Sequence, residues 1–243
     1  MAADKDRPRE PLWQRLERPA AAPRQTLTAE RIAAVAVAVA DAEGLDAITM
    51  RRLATELGVA PMAAYRHVSG KDELLELMVN HIYADLRLPE DAEWRETMRA
   101  LALGTRKLML EHLWLAQLSP RALLALTPNR MAIAERSLAS LQDPGLHADT
   151  MMAVFRAVDA YVHGAMNYEL ALKSLMHEND WTEGDQIRAD LAPQMMWHMR
   201  TGRYPTFQRY LDTATRKDSL EWQFETGLDY VLDGIAAHLA SIR

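Results

Sequence analysis

The longest apolar run in the chain, Ile32 to Ala40 (IAAVAVAVA), supports two opposite readings. Its valine–alanine alternation has the period of a strand. Ile32, Val35, Ala36, Val39 and Ala40 also fall at i, i+3, i+4, i+7 and i+8, the face of an alanine-rich helix. The ends decide for helix: Thr28 can cap a segment that runs to Glu43, and Gly44 stops it. Three further helical segments follow. Thr49 caps Met50 to Leu57, Pro61 opens a short helix to His67, and Ser69 with Asp72 has the spacing of a capping box before a helix from Lys71 to about Leu86. In that last helix Leu74, Leu75, Met78 and Ile82 share a face.

Beyond Pro89 the pattern stays helical, near 94–111, 120–126, 129–141, 147–176, 186–200, 206–212 and 218–241. Turn chemistry separates these stretches (SP, TPN, DPG, NDWTEGD, TGRYP). The predicted fold is all-α: a flexible arm over 1–26, a DNA-binding domain over 27–88, and a helical effector-binding and dimerisation domain over 89–243. Trp13 and Leu16 hint at a docked turn inside the arm.

The segment RRLATELGVAPMAAYRHV, Arg51 to Val68, carries the chemistry. Two short helices joined through a positive-φ glycine make a helix-turn-helix. Leu53, Ala54, Leu57, Val59, Ala64 and Val68 supply its inner faces. With Ala64 and Val68 inward, a 100° step per residue places Met62 and Arg66 outward, with Ala63 and Tyr65 at the edges. An outward face both apolar and cationic suits the major groove, where arginine reads guanine and thioethers pack on thymine methyls. A helical hairpin inside a larger bundle is the plainer alternative.

Composition narrows the classes. The 243 residues hold 49% hydrophobic and 26% charged residues and no cysteine, which removes disulfides, thiolate metal sites and cysteine nucleophiles. A net charge of −6 argues against nucleic acid, but residues 1–70 carry 10 Lys/Arg against 9 Asp/Glu and the acidity lies beyond them. The apolar runs are too short for a bilayer and the N-terminus lacks a signal-peptide core, so a cytoplasmic protein with no membrane partner is expected.

At this resolution a family resemblance emerges. The stretch from Leu27 to Leu86, above all GVAPMAAYRHVSGKDEL, resembles the DNA-binding domain of TetR-family transcriptional repressors. The remainder, with WRETMRALALGTRKLMLEHLWLA and FETGLDYVLDGIAAHL, is similar to the tetracycline-repressor-like C-terminal domain. The resemblance implies DNA contacts from Thr49 and Arg51 at the start of the second helix. It implies phosphate contacts from Tyr65, His67 and Lys71; with Pro61, Met62, Ala63 and Arg66 these complete the candidate interface. It also implies a homodimer on a palindromic double-stranded operator, with helices of both chains forming the seam. Phe155, Val158 and Val162, and Leu228, Val231, Leu232, Ile235 and Leu239, have stripes suited to it. An internal core with no partner is the competing assignment for those stripes.

An effector is less constrained. Methionines beside aromatics suit a pocket for a small, mostly apolar molecule, though methionine fills ordinary cores as well. His112, Trp114, Met131, Tyr161, His163, Met166 and Asn167 are the candidates. Where tetracycline-binding members of the family place an asparagine and a phenylalanine, this chain has Leu101 and Thr105, and Tyr168 stands where they use an acid. No metal and no cofactor are therefore expected. Nucleotide-loop, zincin, nucleophile-elbow and di-iron spacings are missing from the sequence, so a helical enzyme is the lesser alternative. A regulator with no small-molecule effector is the other.

Overall fold

The computed structural model describes residues 12–16, 27–142, 146–182 and 184–242, and among them every regular element is helical. Two compact units divide at residues 142 and 143. The first holds α1 (Leu12–Leu16), α2 (Ala29–Glu43), α3 (Met50–Leu57), α4 (Pro61–Ala64), α5 (Lys71–Tyr83), α6 (Trp94–Glu111), α7 (Pro120–Leu123) and α8 (Pro128–Ala139). The second holds α9 (Ala148–Glu178), α10 (Gly184–Arg200), α11 (Pro205–Thr213) and α12 (Leu220–Ser241).

Helix α2 settles the alternation question. Ile32, Ala33, Ala36, Val37, Val39 and Ala40 are buried, a helical face rather than every second residue. The Thr28 hydroxyl accepts from the Arg31 N–H at 3.1 Å, and Gly44, at φ 84°, donates back to the Ala40 carbonyl at 2.9 Å. That face packs on α5, whose Leu74, Leu75, Leu77, Met78, Val79 and Ile82 are buried. Burying each such side chain contributes about 1.5–3 kcal/mol, which holds the short α3 and α4 in place despite their weak intrinsic helicity.

Several boundaries differ from the sequence expectation. Regular α4 ends at Ala64, and the chain continues to Val68 through i→i+3 bonds such as Arg66 N–H to the Ala63 carbonyl. The capping box shifts by one residue: Gly70 is the N-cap of α5, and the Glu73 carboxylate accepts from the Ser69 N–H at 2.8 Å. The reach back across a full turn suits glutamate better than the shorter Asp72. Two 3-10 turns, Leu45–Ala47 and Leu113–Gln117, are too short to leave a periodic signal. Helix α5 stops at Tyr83 instead of Leu86.

The arm is also corrected in part. Leu12, 3% exposed, enters a cluster with Ala33, Val68 and Leu77, while Trp13, Leu16, Ala29 and Met50 pack around it. Residues 12–16 are thus a docked helix and not a flexible arm; the rest of 1–26 lies outside the described residues. Helices α6 to α8 share the first unit with the helix-turn-helix. The Asn129 backbone N–H donates to the Asn80 side chain at 2.9 Å and its side-chain amide donates to the Asn80 carbonyl at 2.7 Å, pinning α8 to α5. In the second unit α9 and α12 pair along their lengths, whereas α11 buries no residue.

Candidate nucleic-acid interface and sensor surfaces

The helix-turn-helix is set by its caps. The Thr49 hydroxyl accepts from the Arg52 N–H at 3.1 Å, and Gly58, at φ 67° in the left-handed region, ends α3 and turns the chain toward Pro61. Leu53, Ala54, Leu57, Ala64 and Val68 are buried, so the recognition segment is held from beneath. Of the expected interface, Thr49, Arg51, Pro61, Met62, Tyr65, Arg66 and Lys71 are exposed, and Ala63 and His67 are half-buried. Met62 is 71% exposed, which no internal hairpin would require of a thioether at the head of a helix. The Lys71 ammonium lies 3.5 Å from the Leu45 carbonyl and 4.0 Å from Asp46, so it steadies the turn after α2 while staying half open to solvent. Partial burial lowers the His67 pKa, favouring the neutral imidazole near pH 7.

Arg52, one position on from Arg51, lies outside the candidate interface. Its guanidinium donates to both Glu43 oxygens at 2.8 and 2.9 Å and to Glu56 at 2.8 Å. The bonds to Glu43, then to Glu56, raise its pKa. The bridge links the end of α2 to α3. The i,i+4 spacing to Glu56 was visible in the sequence; the partner nine residues upstream was not.

The effector candidates separate on inspection. In the first unit the Trp114 indole N–H donates to Asp41 at 2.8 Å, and His112 Nδ1 lies 2.9 Å from the same carboxylate. Trp114 is 2% exposed, and its indole ties this turn to α2. Met131 is exposed on α8. In the second unit the Tyr161 hydroxyl donates to the Phe224 carbonyl at 2.6 Å, and Met166 is fully buried. His163 Nδ1 faces the Asp159 carbonyl at 2.9 Å, and Asn167 is exposed. His112, Trp114 and Tyr161 are thus held by polar contacts within the chain, and Met166 is closed to solvent.

The dimer stripes need a correction as well. Val158, Val162, Leu228, Leu232 and Leu239 are buried between helices of one chain, so they cannot also face a partner. They lie on the buried faces of α9 and α12. Val231 and Ile235, one step round α12, open onto a mostly apolar groove of about 590 Å³ with Ala153, Ala157, Tyr230 and Gly234. Among the described residues no group of three or more His, Asp or Glu could hold a metal ion, and no helix is long and apolar enough to cross a membrane.

A capped helix-turn-helix, followed along the chain by a larger set of helices, defines a helix-turn-helix transcriptional regulator. Residues 32–78 match the family of bacterial regulatory proteins called tetR, and residues 88–239 match the tetracyclin repressor-like C-terminal domain. The HTH-type transcriptional repressor DrrR1 of Streptomyces coeruleorubidus is 33% identical over 235 residues, 96% of this chain and 86% of its own. Apo ActR from Streptomyces coelicolor superimposes with a TM-score of 0.70 at 26% identity, covering 91% of this chain and all of that one. ActR in complex with actinorhodin gives 0.70 at 27% identity, over 88% of this chain and 98% of that one. The chain belongs to the tetR family: it is a DNA-binding transcriptional repressor and not an enzyme.

Proposed function

We propose that the protein acts in the cytoplasm as a homodimer on a palindromic operator and leaves it when a small, mostly apolar effector binds. DNA is read by Arg51, Met62, Ala63 and Arg66, with Thr49, Pro61, Tyr65, His67 and Lys71 positioning the backbone. The observation that carries this reading is the set of exposed groups on a segment whose opposite side is fully buried: Met62 and Arg66 outward, Ala64 and Val68 inward. A short helix so exposed gains nothing from its thioether and guanidinium in water and has contacts for both in a major groove.

For the dimer, the α9–α12 groove is the face that supports the assignment. Its floor is small (Ala153, Ala157, Gly234), so helices of a second copy can approach closely, and Tyr230, 72% exposed, offers an aromatic surface for burial. Two copies place two recognition segments on two half-sites, which makes a palindrome the natural target. For the effector, Met131 in the first unit, and His163 and Asn167 in the second, keep accessible atoms, and ActR's complex with actinorhodin supports a small-molecule ligand. The two family matches, one ending at residue 78 and the other starting at residue 88, support a DNA-binding domain over 27–88 followed by an effector-binding and dimerisation domain over 89–243.

Light scattering on the protein with a duplex selected from a random pool tests this reading. Two chains free in solution and two per duplex are expected. One chain per duplex contradicts it. For the effector, operator and ligand must weaken each other by one factor, with coupling of about 1–3 kcal/mol per site. A compound whose calorimetric affinity is unchanged by saturating operator is not the effector.

A further inference from the structure

We infer that Asp41 is the positioning residue through which the end of α6 is fastened to the DNA-reading helices, an inference that rests on the DNA-binding function above. Asp41 lies in the last turn of α2. One of its oxygens accepts from the Trp114 indole at 2.8 Å and lies 2.9 Å from His112 Nδ1; the other lies 3.1 Å from the same nitrogen. The two donors flank the break where α6 ends and the 3-10 turn Leu113–Gln117 begins. His112 is both the last cap of α6 and the first of that turn, so its ring direction is coupled to the backbone at the break.

Two residues beyond Asp41, Glu43 grips Arg52 through both oxygens, and the Arg52 N–H is bonded to Thr49. The last turn of α2 is thus bonded on one side to the end of α6 and on the other to the helix that leads to the recognition segment. A carboxylate holding a buried indole N–H does not slide: the bond is kept or broken, because an unpaired donor at that depth is strongly disfavoured. Movement at residues 112–114 must therefore either carry α2 and Arg52 along or release the tie. By reciprocity, a state change at the DNA end has to be felt at Trp114.

The test follows the Trp114 indole N–H resonance of the full chain, assigned by its loss in Trp114→Phe. It is titrated with a duplex selected from a random pool and with a scrambled duplex of equal length. The wild-type signal should shift with the selected duplex and not with the scrambled one. In Asp41→Ala the shift should vanish while DNA is still bound. Where that variant does not fold, Asp41→Asn keeps an acceptor for the indole without charge for His112, and its shift should fall below half of wild type. An unmoved wild-type signal at saturating selected duplex, or a full shift in the Asp41 variant that folds, overturns the inference and leaves the regulator intact. A chain that binds no duplex overturns both.

Discussion

The Tyr161 hydroxyl reaches the Phe224 backbone carbonyl, at 2.6 Å, across the space that a side chain at Gly227 would fill. A Cβ at Gly227 would collide with that hydroxyl and crowd the ring behind it. Tyr161 is therefore a bolt between α9 and α12. Tyr161→Phe should cost about 1 kcal/mol, the net value of one hydrogen bond. Gly227→Ala should destabilise wild type but be much better tolerated in Tyr161→Phe, where the colliding atom is gone and alanine's helix propensity (about 1 kcal/mol) is gained. Denaturant melts of the four chains give the cycle; simple additivity would show that the two residues do not share that space.

The dimer assignment separates two residues two positions apart on α12. Gly234 has nothing within 4 Å of an added Cβ and faces the groove, whereas Leu232 is fully buried in the chain's own core. Gly234→Arg should give a folded monomer with weakened operator binding. Leu232→Asp should instead lose more than about 4 kcal/mol of stability, because it buries an unpaired charge. Light scattering with circular dichroism separates these outcomes; a dimeric Gly234→Arg places the interface elsewhere.

The arginines and the lysine should differ in kind. Arg51→Ala and Arg66→Ala should each cost about 1–3 kcal/mol per half-site and relax preference at one base position. Lys71→Ala should weaken all duplexes alike and shallow the salt slope by about one unit per subunit. Equal losses on operator and scrambled duplex for both arginines would remove the base-reading assignment.

His67 links stability to acidity. Its folded pKa lies below the ordinary 6.5 because burial disfavours the charged ring, so the folded chain binds fewer protons than the unfolded one in that range. This contribution is complete above the unfolded value and is lost as pH falls through the folded one. Melting temperature should drop on acidification below about pH 6.5, and less steeply in His67→Gln. Parallel curves would mean that other groups dominate the window.

What the sequence made legible follows the range of the interactions. Caps at Thr28 and Thr49, the glycine corner at Gly58 and the start at Pro61 are written within four residues, and the structure places them as read. The contacts that organise the first unit join residues far apart in the chain: hydrogen bonds from Trp114 to Asp41 and from Asn129 to Asn80, and the apolar cluster that holds Leu12 and Leu77. No periodicity announces them, nor the bond from the Tyr161 hydroxyl to the Phe224 carbonyl in the second unit. The α12 stripe shows a subtler limit. A period of 3.6 tells which residues share a face, but not whether that face meets the chain's own α9 or another copy.

The central claim is sequence-specific recognition by the segment from Thr49 to Lys71. It is tested most directly by selecting duplexes from a random pool with the full chain and repeating the selection with Arg66→Ala. The account predicts a palindrome with two half-sites for the wild type, and in the variant the same palindrome with degraded preference at one symmetric pair of positions. An unenriched pool, or one enriched identically by both proteins, would contradict it.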